Sequence, residues 1–90
     1  MKHRTFQIGS IGYMTTPLES VFSDVLKVDI STLNDATSPD NTPQWDSLAA
    51  MHLVVALEEE YDVKLKTREI MQMRTIASAR EVLKAKGVEF

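Results

Sequence analysis

Ser47 is the residue of this 90-residue chain whose type and setting best fit chemistry. It lies at the start of Trp45-Asp46-Ser47-Leu48-Ala49-Ala50-Met51-His52-Leu53-Val54-Val55-Ala56-Leu57-Glu58-Glu59-Glu60-Tyr61, a stretch that reads as one helix. Either Asp46 or Ser47 serves as its N-cap, and capping alone would explain both residues. The two roles are compatible if Asp46 caps and Ser47 stays exposed in the first turn. A hydroxyl there meets the positive pole of the helix, where a phosphate is well held.

Other chemistry is harder to assemble. His52 follows Ser47 by five positions, which does not aim an imidazole at the serine hydroxyl along a helix. No third residue orients that histidine, so nucleophilic catalysis is not expected. Glu58, Glu59 and Glu60 are consecutive and fan around the helix, whereas paired-carboxylate chemistry needs convergence. The chain has three glycines and no glycine-rich phosphate loop. It has no cysteine, hence no disulfide, thiolate metal site or thiol nucleophile of its own. His3 and His52 are isolated, so no metal site is expected. The residues suit a carrier better than a catalyst.

The elements that must position Ser47 follow from hydrophobic periodicity. At about 100° per residue, the Ser47 helix carries two apolar stripes. Ala50, Leu53, Val54, Leu57 and Tyr61 form the core face. Leu48, Met51 and Val55 form the other, flanked by His52, Glu58 and Glu59. A central helix buried all round would also show two stripes, but the chain has too few helices to surround it. The second stripe therefore reads as exposed and open to a partner.

A first helix precedes it. Thr16-Pro17-Leu18-Glu19 offers a capping box, with Thr16 as N-cap, Pro17 at the first helical position and Glu19 reaching back. Leu18, Val21, Phe22, Val25 and Leu26 make one stripe, and the helix should end near Val28. Residues 29–45 are rich in turn and cap formers and predict a long loop, pinned by Ile30 and Leu33. Further on, Thr67 can cap a short helix over Arg68 to Met73. Thr75 can cap a last helix with Ile76, Ala79, Val82 and Leu83, and Gly87 follows as a stop. The expectation is an all-α protein: a small four-helix bundle of three main helices plus one short helix. Residues 1–14 have neither helical nor strand period and read as a mobile or loosely docked arm; residues 88–90 read as a C-terminal tail.

Charge narrows the partners. The net charge of −3 is unevenly spread. Residues 1–62 hold three Lys/Arg and ten Asp/Glu, net −7, and residues 63–90 hold seven and three, net +4. The acidic front argues against nucleic acid and for partners with basic surfaces. No apolar run approaches the ~18 residues of a membrane span. The basic start Met1-Lys2-His3-Arg4 lacks the apolar stretch of a secretory signal, so the cytoplasm is the expected location.

Asp46-Ser47-Leu48, then Met51, Leu53-Val54 and Ala56-Leu57-Glu58-Glu59-Glu60-Tyr61-Asp62, resembles the acyl carrier proteins. The family's spacing continues from Leu65 through Thr75-Ile76 to Leu83. The resemblance implies that residues 15–87 are an acyl carrier domain and that Ser47 receives a 4′-phosphopantetheine arm from coenzyme A. It implies that Asp46 and Leu48 frame the serine for a phosphopantetheinyl transferase. It also implies that Met51, Val55, Glu58 and Glu59 face acyl-loading and acyl-transferring enzymes, with no catalysis by the chain itself, which acts as a monomer.

Three positions depart from the fatty-acid carriers of that family. His52 stands where they have an acid. Lys64, Lys66, Arg68 and Arg74 make the third helical region basic. Trp45 stands where they have a small residue. These changes resemble stand-alone carriers of specialised pathways, with polyketide-like, amino-acyl or surface-polysaccharide cargo, and make His52 a marker of partner choice. The glycine-rich approach to the serine found in many peptidyl carriers is absent. The competing reading is an unmodified helical adaptor that binds partners through the same stripe.

Overall fold

The computed structural model describes residues 16–90. The arm expected over residues 1–14, with His3, lies outside the described residues. Four α-helices and one 3-10 turn are present among those described: α1 Leu18–Leu26, the turn Ile30–Thr32, α2 Ser47–Tyr61, α3 Thr67–Gln72 and α4 Ile76–Ala85. The all-α bundle with one short helix and a long α1–α2 connection is the architecture that the periodicity predicts.

Apolar faces of α1, α2 and α4 close one core. Leu18, Phe22, Leu57, Ile76 and Leu83 are its largest fully buried side chains. Leu53 joins them from α2, while Ala50 and Tyr61 pack against the core half-buried. Trp45 is also buried, edge-on to Phe22 with ring centroids 5.1 Å apart. The sequence places Trp45 at the end of the loop; the structure makes it a core residue, because an indole two positions before a helix can fold back onto α1.

The start of α1 differs from the expected capping box. Pro17 occupies the N-cap position with no side-chain cap bond, and Leu18 opens the helix. The Thr16 hydroxyl donates instead to Glu60, and the Tyr61 hydroxyl donates to the Thr16 carbonyl at 2.8 Å. Glu19 turns to Arg80 of α4, 2.8 Å away. Long-range partners thus take both residues that a local cap would have used. The helix stops at Leu26, two residues before Val28, because Lys27 adopts a left-handed conformation with φ 61° and its N–H returns to the Ser23 carbonyl.

The long connection is anchored in several places. Asp29 caps the 3-10 turn by accepting from the Ser31 N–H. Leu33 packs against the core, whereas Ile30, its expected partner, is 45% exposed. Burying one side of so short a turn leaves the other side in water. The carbonyls of Asp35 and Thr37 accept from the Ala77 and Ile76 N–H groups, both at 3.1 Å, so the loop caps the amino end of α4. Thr75 accepts from the Ser78 N–H as expected, which leaves the first-turn donors of α4 well satisfied.

α3 begins one residue earlier than expected, with Lys66 rather than Thr67 at the N-cap. Glu69 accepts from the Lys66 backbone N–H at 2.8 Å and pairs with Lys86 at 3.1 Å, and these contacts set the start. α4 closes at Gly87, φ 99°, where the Val88 N–H returns to the Leu83 carbonyl. Val88 then packs on the core, and Phe90 lies edge-on to Tyr61 and beneath the Arg80 guanidinium.

Candidate functional site

The amino end of α2 is built by two adjacent residues with different tasks. Asp46 is the N-cap, and its carboxylate accepts from the Ala49 N–H at 2.9 Å. Ser47 is the first helical residue and is exposed. Its hydroxyl has no hydrogen-bond partner among the described residues, and neither do the N–H groups of Ser47 and Leu48. Asp46 thus relieves Ser47 of the capping role and leaves it free.

Trp45 fixes where this turn sits. Its ring is buried, and its backbone N–H donates to the Thr42 carbonyl at 2.9 Å. Ser47 is two residues downstream, so the anchored indole sets the position of the hydroxyl over the bundle. The free hydroxyl, two unpartnered first-turn N–H groups and the positive end of a 15-residue helix suit a phosphodiester carried on Ser47.

The second stripe of α2 is exposed, as its period predicts. Leu48, Met51 and Val55 are 62%, 66% and 53% exposed, and His52 and Glu59 are exposed beside them. No described residue pairs with His52. Glu58 is different. It is half-buried, and its carboxylate accepts from the Leu65 N–H at 2.8 Å, tying the end of α2 to the segment before α3. The three consecutive glutamates do fan out: Glu58 holds Leu65, Glu60 accepts from Thr16, and Glu59 faces water.

Two features of this region were not read from the sequence as part of a site. Met71 on α3 is 69% exposed, although Ile70 and Met73 on either side turn inward. The three-residue spacing of Ile70 and Met73 could have shown it. The second is a cleft of about 30 Å³ whose lining includes Phe22, Trp45, Leu53, Leu57, Ile70 and Met73. Its walls are apolar and come from three helices and the loop, so no local pattern contains it.

The family described as "Phosphopantetheine attachment site" matches residues 17–83. The chain belongs to this family. It is an acyl carrier, with covalent 4′-phosphopantetheine as its cofactor. Among solved structures it is similar to the solution structure of a holo acyl carrier protein from Nitrosomonas europaea. The two share 27% sequence identity with a TM-score of 0.68, over 77% of this chain and 89% of that one. The comparison with curated proteins gives no match. No described helix is long and apolar enough to cross a membrane.

Proposed function

We propose that Ser47 is the residue of this carrier that bears the phosphopantetheine arm. The observation behind it is the exposed Ser47 hydroxyl at the amino end of α2, freed by the Asp46 cap and without a partner among the described residues. When bound, the arm supplies the thiol that holds an acyl group as a thioester, which a chain without cysteine cannot offer. The carrier unit is residues 15–87, and the protein's own part is non-catalytic. It must present the serine, shelter or display the cargo, and be recognised.

Recognition falls to the surface around the serine. Asp46 and Leu48 frame the hydroxyl for the transferase. Met51, His52, Val55 and Glu59 supply the apolar and charged contacts for acyl-loading and acyl-transferring enzymes. Glu58 contributes from a half-buried position at the edge. Such docking should be fast and weak, steered by charge, because one carrier visits several enzymes. The basic α3 region and His52 favour a stand-alone carrier of a specialised pathway, acting as a monomer in the cytoplasm.

The test is intact mass. Incubation with coenzyme A, Mg²⁺ and a broad-specificity transferase should add one phosphopantetheine to the wild-type chain and none to Ser47→Ala. Wild-type protein that gains no mass beside a carrier that does would overturn the assignment and favour the adaptor reading.

A further inference from the structure

Resting on the carrier reading above, we propose that the cargo is a short acyl group, of up to about eight carbons, displayed in solvent because the Trp45 indole fills the interior that would shelter a longer chain. A chain held as a thioester reaches apolar surroundings only by entering the bundle. The apolar cleft includes Trp45 and Ala50 in its lining, two positions before Ser47 and three after it. Its volume is about 30 Å³. A cavity that takes up benzene measures ~150 Å³. An alkyl chain therefore enters only by displacing a wall.

The wall nearest Ser47 in the chain is Trp45, and it is costly to move. The residue is 5% exposed and its ring lies edge-on to Phe22, itself 1% exposed. Expelling a buried aromatic ring returns apolar surface to water that burial of about five to eight methylenes offsets. An octanoyl chain, buried to its last carbon, only reaches that range. The backbone adds to the cost. The Trp45 N–H bonds the Thr42 carbonyl at 2.9 Å, and the loop before it is tied to α4 through the Asp35 and Thr37 carbonyls. Thr37 is buried, and its hydroxyl accepts from the Asn34 N–H at 2.9 Å.

Larger depressions among the described residues offer no substitute. One is edged by Lys27 and Asp29, another by Lys86 and Glu89, and a third by Glu59 and Lys64. They are open to solvent and edged by charge, so an alkyl chain lying there stays wet. A long chain that the bundle cannot cover is an exposed apolar patch, which favours association. A short acyl group avoids this, and a partner enzyme meets it without drawing it out of the core.

The test uses the full chain. A broad-specificity transferase with acetyl-, butyryl- or octanoyl-coenzyme A loads the arm and acyl group together, and intact mass confirms loading against Ser47→Ala. Hydroxylamine then attacks the thioester carbonyl, forming a hydroxamate and releasing the thiol of the arm. Each rate is divided by that of the same acyl group on free coenzyme A. In the wild type this ratio should stay within about twofold from acetyl to octanoyl, since no methylene is buried. Tm should also be independent of chain length, as should the emission of Trp45, the only tryptophan of the chain. In Trp45→Ala the octanoyl ratio should drop about tenfold below the acetyl one, and its Tm should rise, because the opened cleft binds the chain. Trp45→Leu serves if Trp45→Ala does not fold.

A wild-type ratio, Tm or Trp45 emission that moves with chain length overturns the proposal. So do folded Trp45→Ala and Trp45→Leu chains that both treat the three acyl groups alike, because the indole then excludes nothing. Wild-type protein that gains no mass overturns the Ser47 attachment site as well. Normal loading followed by length-dependent protection overturns the display of the cargo alone.

Discussion

Trp45 lies edge-on against Phe22, with ring centroids 5.1 Å apart, and Ser47 follows two residues later. The contact couples the packing of α1 to the placement of the Ser47 hydroxyl. Trp45→Ala should cost about 3–5 kcal/mol, as for other buried aromatic residues, which is a large part of the stability of so small a domain. Trp45→Phe should retain most of it. Urea melts followed by circular dichroism measure the difference. In conditions where both variants are folded, Trp45→Ala should also raise the transferase KM for the carrier. An unchanged KM would mean that the indole only stabilises the fold.

The two neighbouring glutamates should respond differently. Glu59 faces water beside the α2 stripe, and Glu58 holds the Leu65 N–H. Glu59→Lys should slow modification of Ser47 at low salt and much less at high salt, with stability within about 0.5 kcal/mol of wild type. Glu58→Ala should lower stability by about 1–2 kcal/mol, since it leaves a partly buried N–H unpaired. Paired melts and salt-dependent rates separate the two roles. The sequence places both residues beside the recognition stripe; a helical period shows direction and not what a neighbouring segment brings to meet it.

Low pH should loosen the tie between α1, the loop and α4. The Arg80 guanidinium bonds Glu19 and holds its carboxyl below the ordinary value of 4.5. A depressed pKa in the folded state stabilises above the unfolded value and is lost as pH falls through the folded one. The contribution is thus complete at neutral pH and disappears below 4.5. Asp29, lowered by the Ser31 N–H and hydroxyl, and Glu69, lowered by the Lys66 N–H and then Lys86, act in the same direction. Arg80→Gln should cost about 1 kcal/mol at pH 7 and progressively less towards pH 3, because the pair is partly exposed. Thermal melts across that range measure it, and a cost independent of pH would assign the effect to packing.

High pH should act through Tyr61. Burial, followed by the charges of Glu60 and Glu19, pushes its phenol well above the ordinary value of 10.0. A raised pKa stabilises the fold below the unfolded value and is lost as pH rises beyond it. Stability should therefore fall above pH 10 in the wild type and fall less steeply in Tyr61→Phe. That variant should lose about 1 kcal/mol at pH 7 with its bond to the Thr16 carbonyl.

Backbone conformation offers a gain. Lys27 and Asp62 hold φ of 61° and 55° after α1 and α2, where glycine is the unstrained choice. Lys27→Gly should raise stability by about 0.5–1 kcal/mol, the relief of left-handed strain less the added freedom of the unfolded chain. A urea midpoint that moves down would show that the lysine side chain contributes more than its backbone strain costs.

The sequence by itself determined whatever depends on neighbours a few positions apart. The Asp46 cap, the free Ser47 beside it, the two faces of α2, the Thr75 cap and the Gly87 stop are consequences of helical period and first-turn hydrogen bonding. The family resemblance rested on those same residues. Tertiary structure decided the pairings that span the chain. Thr16 leaves its expected cap for Glu60 and Tyr61, Glu19 turns to Arg80, Glu58 reaches Leu65, and Trp45 packs on Phe22. In each case a polar or aromatic group had both a local use and a distant one. Only the packed bundle brings the distant partner within bonding range, and it is that set of contacts which holds Ser47 in place above the core.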